Sequence, residues 1–281
     1  MKHTILLFLL VTSSIFGTIS TVVSIAPEHT FVKAIGGDKV TVSLMVKPGN
    51  SPHTYEPKPS QMMAITKADL YFAIDIEFEH IWLDKFRSLN QNMKIISLSE
   101  GISKIRMKPQ TQHANHNDHD TKDPHIWTSP SNVKHIVKHI YTALSSKDPQ
   151  NRSYYKKNLQ NFISHIDATD TRIKHILSLA PQNKKFMTVH PSWAYFAKEY
   201  NLEQLIIQKE GKSPKLKELI ALIKKSKKEY ISTIVVQNEF TDTSAKIIAK
   251  ELSIQVQKIS PLALNWADNL IALSKAIAGQ K

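Results

Sequence analysis

Apolar and polar positions follow two different periods along this chain, and the period changes at regular intervals. Short runs with a period of two, or with continuous apolar character, read as strands. They fall at 22–25, 40–46, 70–74 and 94–98 in the first half, and at 185–189, 205–207, 233–236 and 256–259 in the second. Between them, apolar residues recur every three or four positions, the pattern of amphipathic helices. Such segments lie at about 27–36, 59–68, 78–89, 131–146, 191–200, 213–228, 241–252 and 265–278. Gly36-Gly37 and Lys47-Pro48-Gly49-Asn50 supply turns, Pro59 opens one helix, and Ser131 is expected to cap another. The longest periodic stretch follows the start signal Asp148-Pro149. Leu159, Phe162, Ile163, Ile166, Ile173, Ile176 and Leu177 keep helical spacing up to Pro181. About thirty residues at roughly 1.5 Å each make a rod of roughly 45 Å.

Alternating strands and helices imply parallel sheets covered by helices. The expected fold is therefore α/β: two lobes with parallel β-sheets flanked by helices, joined by one long backbone helix. The boundaries read as 1–20 for a signal peptide, 21–147 for the N-terminal lobe, 148–181 for the linking helix and 182–281 for the C-terminal lobe. No repeat of solenoid period is visible.

Composition narrows the function classes. A chain of 281 residues, 41% of them hydrophobic, can build one large domain or two ordinary ones. The net charge is +13, from 37 Lys and Arg against 24 Asp and Glu. Such a balance suits anionic partners. Here the lysines scatter over predicted helices, as in Lys224-Lys225-Ser226-Lys227-Lys228, without an aromatic-interleaved RNA motif or zinc-finger spacing. A solvated basic face is expected, and nucleic acid is not an expected partner. Met1-Lys2-His3-Thr4, the apolar run 5–11 and the small residues through Ser20 read as a secretory signal peptide. Thr12, Ser13 and Ser14 interrupt the run and weigh against a membrane anchor. Cleavage after Gly17 or after Ser20 is expected to leave the first strand intact. The chain has no cysteine, hence no thiol for a lipid anchor and no disulfide. The mature protein is expected to be exported, soluble and periplasmic.

The candidate chemistry is imidazole. Three histidines sit in separate short motifs: Pro52-His53-Thr54-Tyr55-Glu56-Pro57, Asp123-Pro124-His125-Ile126-Trp127-Thr128-Ser129-Pro130 and Val189-His190-Pro191-Ser192-Trp193. A lone histidine is more often a surface or satisfied core residue than a ligand. His135, His139, His165 and His175 are read that way; His135 and His139 are four apart on a helix but lack an HExxH pattern. His29 and His80 have no supporting context. Position separates the three motif histidines from the rest. Ligands of parallel α/β sheets bind beyond the carboxyl ends of strands. His53 follows the strand ending near Val46, and His190 ends the strand 185–189. His125 joins them if its loop folds over the same edge. Pro52, Pro124 and Pro191 restrict the adjacent backbone. The polar stretch 104–123 is expected to be a loop. Its histidine-rich part, 108–123, carries His113, His116 and His119, a composition that binds metal weakly.

Across these motifs, and over nearly the whole mature chain, the sequence resembles the solute-binding proteins of metal-importing ABC transporters, specifically the ZnuA-like zinc-uptake type. The resemblance implies a periplasmic receptor that binds Zn2+ through His53, His125 and His190 and delivers it, as a monomer, to membrane permease subunits. It implies no catalysis. Its zinc-selective members carry a histidine- and acid-rich loop before the second motif, as here. Manganese receptors of the family place a carboxylate where this chain has His190. A manganese- or iron-specific receptor of the same family is therefore the alternative reading. Family members usually have Asp-Pro-Leu near the end, often with a fourth ligand; here the residues are Ser260-Pro261-Leu262. Water is favoured at the fourth position, with Glu239 next and a loop histidine after it. A three-histidine zinc enzyme is the rival class, with Glu56 or Glu239 as its base, but no base motif stands beside the ligands. An adhesin is disfavoured by the absence of an anchoring sequence.

Overall fold

In the computed structural model, residues 17–107, 122–208, 212–229 and 231–280 are described. Residues 1–16 of the expected signal peptide and the loop histidines His113, His116 and His119 lie outside them.

Among the described residues, eight strands form two four-stranded sheets. β1 (Ile19–Val23), β2 (Val40–Leu44), β3 (Leu70–Ala73) and β4 (Lys94–Ser97) lie in the order β2-β1-β3-β4. β5 (Lys185–Thr188), β6 (Glu203–Ile206), β7 (Ile234–Val236) and β8 (Val256–Lys258) lie in the order β6-β5-β7-β8. Every pairing is parallel. The lobes therefore repeat one topology. In each, the chain first adds a strand on one side of the opening strand and then on the other. A crevice thus opens at the carboxyl ends between β1 and β3, and again between β5 and β7.

The helices α1 (Ala26–Gly36), α2 (Pro59–Lys67), α3 (Glu77–Leu89) and α4 (Pro130–Lys147) belong to the first lobe. α6 (Ala194–Glu199), α7 (Leu216–Lys228), α8 (Thr243–Leu252) and α9 (Trp266–Ala278) belong to the second. α5 (Arg152–Ser178) joins them, packing on α1 and α4 of one lobe and on α9 of the other. α1 ends at Gly37, whose φ of +55° suits glycine; a Cβ there would stand 2.1 Å from the Tyr154 hydroxyl of α5. One hydrophobic core runs through both lobes, from Val22 and Phe72 through Trp127 and Ile166 to Phe196 and Leu270. A second fills the outer half of the C-terminal lobe around Met187, Ile234 and Ile248. Among the described residues, no helix is long and apolar enough to cross a membrane.

Of the boundaries that differ from those read in the sequence, four have a visible tertiary reason. β1 begins at Ile19, because Ile19 and Ser20 pair with Val40 and Thr41. Cleavage after Ser20 would remove both, so the expectation that either cut spares the strand holds only for Gly17. Ser129, rather than Ser131, caps α4: its Oγ accepts from the Asn132 amide, and Pro130 takes the first helical position. Ser131 instead donates to Glu199 of the other lobe, at 3.1 Å from N and 2.5 Å from Oγ. α5 spans 27 residues, about 40 Å. Residues 149–151 form a separate tight turn, since the Asp148 carboxylate is taken by Asn151 Nδ2 at 2.6 Å and Tyr155 Oη at 2.8 Å. α6 starts at Ala194, because residues 190–193 make a turn: Ser192 N donates to the His190 carbonyl at 2.9 Å, and Trp193 N to Gln204 Oε1 at 2.8 Å.

Behind β1 and β3 two carboxyls are buried together. Glu79 is well supplied: Ser24 Oγ donates to it, as do the amides of Ile74, Asp75 and Ile76 at 3.0, 2.6 and 3.3 Å. Glu28 receives the amides of Ser24 and Ile25 on Oε2, at 3.0 and 2.9 Å, while Oε1 has no partner among the described residues. Burial first, and the charge of Glu79 second, hold the Glu28 carboxyl well above the usual range. The proton then binds more tightly in the folded chain than in the unfolded one. The stabilisation this gives is complete below the unfolded carboxyl range and fades as pH rises through the folded value. Glu28→Gln removes that dependence. Urea unfolding of both proteins between about pH 5 and about pH 9 should show the stability gap moving steadily in favour of the glutamine variant as pH rises. Parallel profiles would mean that Glu28 is not the proton carrier.

Candidate metal centre

The carboxyl ends of both sheets face one cleft of about 650 Å³ between the lobes. His53, His125 and His190 all line it, so the three motif histidines come together from three separate segments. The ring centroids of His53 and His125 lie 5.2 and 5.6 Å from that of His190. Among the described residues, no three imidazole or carboxylate groups are drawn as tightly together as around a bound ion.

Each ring is held differently. His53 sits in the turn after β2, and its Nδ1 lies 2.5 Å from Glu77 Oε2. Glu77 is the first residue of α3. The chain enters that helix through Asp75, at φ +68°, and the Glu79 carboxylate gathers the three amides of this turn. His125 precedes a short turn at Ile126–Thr128, and Thr128 Oγ1 donates to its carbonyl at 2.9 Å. Asp123 Oδ1 receives both the amide and Nδ1 of His125, each at 2.8 Å. A carboxylate only accepts, so Nδ1 carries the proton in both rings. In the neutral ring Nε2 of His53 and of His125 then keeps its lone pair, and a carboxylate on the opposite nitrogen is how metal-binding histidines are commonly oriented.

His190 closes β5 and has no carboxylate. Its ring stacks on Phe240, with centroids 4.5 Å apart and planes at 17°. Gln208 approaches closely enough to favour the charged ring slightly, yet completes no hydrogen bond to it. Burial first, then His125 and His53, push the His190 imidazole down to about 3. The ring is neutral at ordinary pH, with both nitrogens buried and unsatisfied among the described residues. An orphaned buried nitrogen is costly unless something supplies its partner. A divalent cation held by three neutral imidazoles does so, and three nitrogens with one further position is a zinc donor set.

The other histidines divide. His80 lines the same cleft, at 2.6 Å from Asp75 Oδ1, although the sequence offers it no context. His135, His165 and His175 are exposed and do not line the cleft, and His139 contacts the Glu100 carbonyl at 3.1 Å. Glu56 is exposed and away from the cleft, whereas Glu239 lines it. The stems of the histidine-rich segment meet beside His125, where the backbones of Arg106 and Lys122 pair antiparallel, and Tyr195 Oη takes the Ile105 amide at 3.1 Å and donates to the Asp123 carbonyl at 2.7 Å. Sequence reasoning missed Glu77, Asp123 and Phe240 as supporting groups. Asp123 stood visible inside the second motif. Glu77 lies 24 positions from its imidazole and is found only through the fold.

Glu77→Gln and Asp123→Asn should each weaken metal binding by about 10- to 100-fold while leaving circular dichroism unchanged. Competition against a chromogenic chelator measures this, and unaltered affinity in both variants would remove the carboxylates from the site.

A family model described as zinc-uptake complex component A, periplasmic, matches residues 21–277. A crystal structure of ZnuA superposes with a TM-score of 0.86 at 38% identity, covering 94% of this chain and 99% of that one. A ZnuA deletion mutant with zinc bound superposes at 0.84 and 39% identity, covering 93% and 97%. The manganese ABC transporter substrate-binding lipoprotein scaA of Streptococcus gordonii is 29% identical over 236 residues, 80% of this chain and 73% of that protein. The zinc-binding lipoprotein AdcA of Streptococcus pneumoniae is 28% identical over 259 residues, 88% of this chain; the chain spans only half of AdcA.

Proposed function

The chain belongs to the periplasmic zinc-uptake complex component A family, metal ABC transporter substrate-binding proteins rather than enzymes, and on that premise we propose that it is a high-affinity Zn2+ receptor. Such proteins work with the membrane permease and ATPase subunits of an ABC importer. Here the cargo is Zn2+, the receptor a periplasmic monomer exported by its signal peptide, and the partner a zinc permease.

Family membership does not choose the metal, since relatives are named for manganese as well as for zinc. The donor set does. The observation that carries the reading is the convergence of three imidazoles on one cleft, two with Nδ1 tied to carboxylates and the third buried and neutral. Imidazole nitrogen suits zinc, whereas manganese prefers carboxylate and water oxygen. A manganese or iron receptor would call for more oxygen donors around the ion. Zn2+ needs neutral imidazoles, and burial already keeps His190 in that form, so binding there displaces no proton. The continuous core and α5 tie the lobes together, so capture and release proceed with small local movements instead of a wide domain rotation. Met107 and Lys122, which flank the segment carrying His113, His116 and His119, line the cleft, and we assign these histidines an auxiliary role in collecting scarce zinc.

Elemental analysis and Zn2+ titration with Mn2+ as challenger test this on the mature protein beside His190→Ala. The expected result is one Zn2+ per chain, undisturbed by Mn2+, and a loss of about 100-fold or more in the variant, about 2.7 kcal/mol. Tight Mn2+ binding, or Zn2+ binding indifferent to His190, overturns the assignment.

A further inference from the structure

Among the described residues, three carboxylate side chains line the cleft: Asp75, Glu77 and Glu239. Two are committed to positive or imidazole partners. Asp75 receives Lys104 Nζ on one oxygen and faces His80 Nε2 on the other. Glu77 is bound to His53. Glu239 differs. Among the described residues, no Lys, Arg or His forms an ion pair with it. Its hydrogen-bond partner is the Ser260 hydroxyl, at 2.8 Å from Oε1 and 3.0 Å from Oε2. A carboxylate offers about four acceptor positions, and a hydroxyl has one proton to give. Glu239 is thus the cleft carboxylate with lone pairs to spare.

Its placement is fixed from both sides. Glu239 lies in the turn after β7, next to Phe240, whose ring stacks on His190. Ser260 follows β8, the neighbour of β7. The Ser260 oxygen already accepts the Leu262 amide at 3.1 Å, and Asn269 Nδ2 donates to the Ser260 carbonyl at 2.8 Å. With its acceptor side occupied and its backbone held, the hydroxyl is left to act as a donor toward the carboxylate.

We infer that Glu239 is the fourth ligand of the bound cation and that Ser260 is its positioning residue. This rests on the three-imidazole reading above and completes it. Ser260 Oγ reaches both carboxylate oxygens but has one proton to give, so one oxygen stays available to the ion, which favours one-oxygen binding and a four-coordinate shell of three nitrogens and one oxygen. Three neutral imidazoles leave the dication's charge untouched; one carboxylate halves it inside a largely apolar cleft, where uncompensated charge is costly.

The test is Co2+ substitution with visible d–d absorption, and Zn2+ edge spectroscopy, on wild type, Glu239→Gln, Ser260→Ala and His190→Ala. Glu239→Gln should keep one metal per chain, shift the Co2+ bands, lose one oxygen from the shell and weaken Zn2+ by about 100-fold or more. Ser260→Ala should weaken Zn2+ by about tenfold with the oxygen retained, as expected for an outer-shell partner. Thermal melting of the metal-free variants within a few degrees of wild type establishes that the fold is kept; should Glu239→Gln not fold, Glu239→Asp takes its place and should shift the same bands. Unchanged spectra and affinity in the Glu239 variant, with binding lost in His190→Ala, would overturn Glu239 as a ligand and leave the three-imidazole site standing. Binding that survives His190→Ala would overturn both.

Discussion

The cleft depends on one interlock between the lobes, centred on Trp127. Its indole Nε1 donates to the Pro261 carbonyl of the second lobe at 2.8 Å, and its own carbonyl accepts from Trp266 Nε1 at 2.7 Å. Both indoles are buried. The ring of Trp127 also lies 5.3 Å from that of His125, so the wedge that joins the lobes supports one of the imidazoles. A buried aromatic side chain of this size is worth about 3–5 kcal/mol relative to alanine, a large share of what a domain has to spare. Glu199 adds a polar clamp on the same seam by receiving the Ser129 and Ser131 hydroxyls. With α5 packed along both lobes, the distance from His125 to His190 is set by core packing, and the loops only carry the rings.

Within that frame the imidazoles are positioned by two kinds of force. His53 and His125 are oriented by hydrogen bonds to carboxylates, which fix the tautomer as well as the direction. His190 is oriented by stacking and burial alone. The difference follows from where each residue leaves its sheet. His190 lies two residues beyond β5, where Thr188 Oγ1, the last side chain of the strand, holds its carbonyl at 2.9 Å. His53 and His125 stand on turns, which need an added tether. Glu79 shows how far back the chain of support reaches: it fixes the turn that places Glu77, which in turn places His53.

Much of this was legible in the sequence, for physical reasons that also explain what was not. Apolar periodicity is local, so the strands, the helices and the long linking helix could be read from it. The ends of those elements are set by partners elsewhere. Ile19 is a strand residue because Val40 lies beside it, and Ser131 is spared from capping because Glu199 reaches it from the other lobe. The shared strand order of the two lobes left no trace in the residues, since a parallel sheet requires apolar character at given positions and not particular side chains. The motif histidines were visible because proline and turn residues crowd around them. The tie from Glu77 to His53 was not, because it exists only once β3 and the turn after β2 end at the same edge.

The resemblance to metal receptors leads to an expected acid at position 260, and the serine found there leaves that turn one negative charge short. The structure shows why the charge need not be missing. β7 and β8 are adjacent, and the turns at their carboxyl ends open onto the same cleft. A carboxylate required at that edge can be carried by either turn. Placed on the β7 turn, as Glu239, it gains the serine on the β8 turn as a donor, and Ser260 becomes the residue that aims it. The same reasoning bears on metal choice. The parallel-sheet frame imposes only where side chains converge, so the balance of imidazole and carboxylate at that point is what would separate a zinc receptor from a manganese receptor built on the same fold.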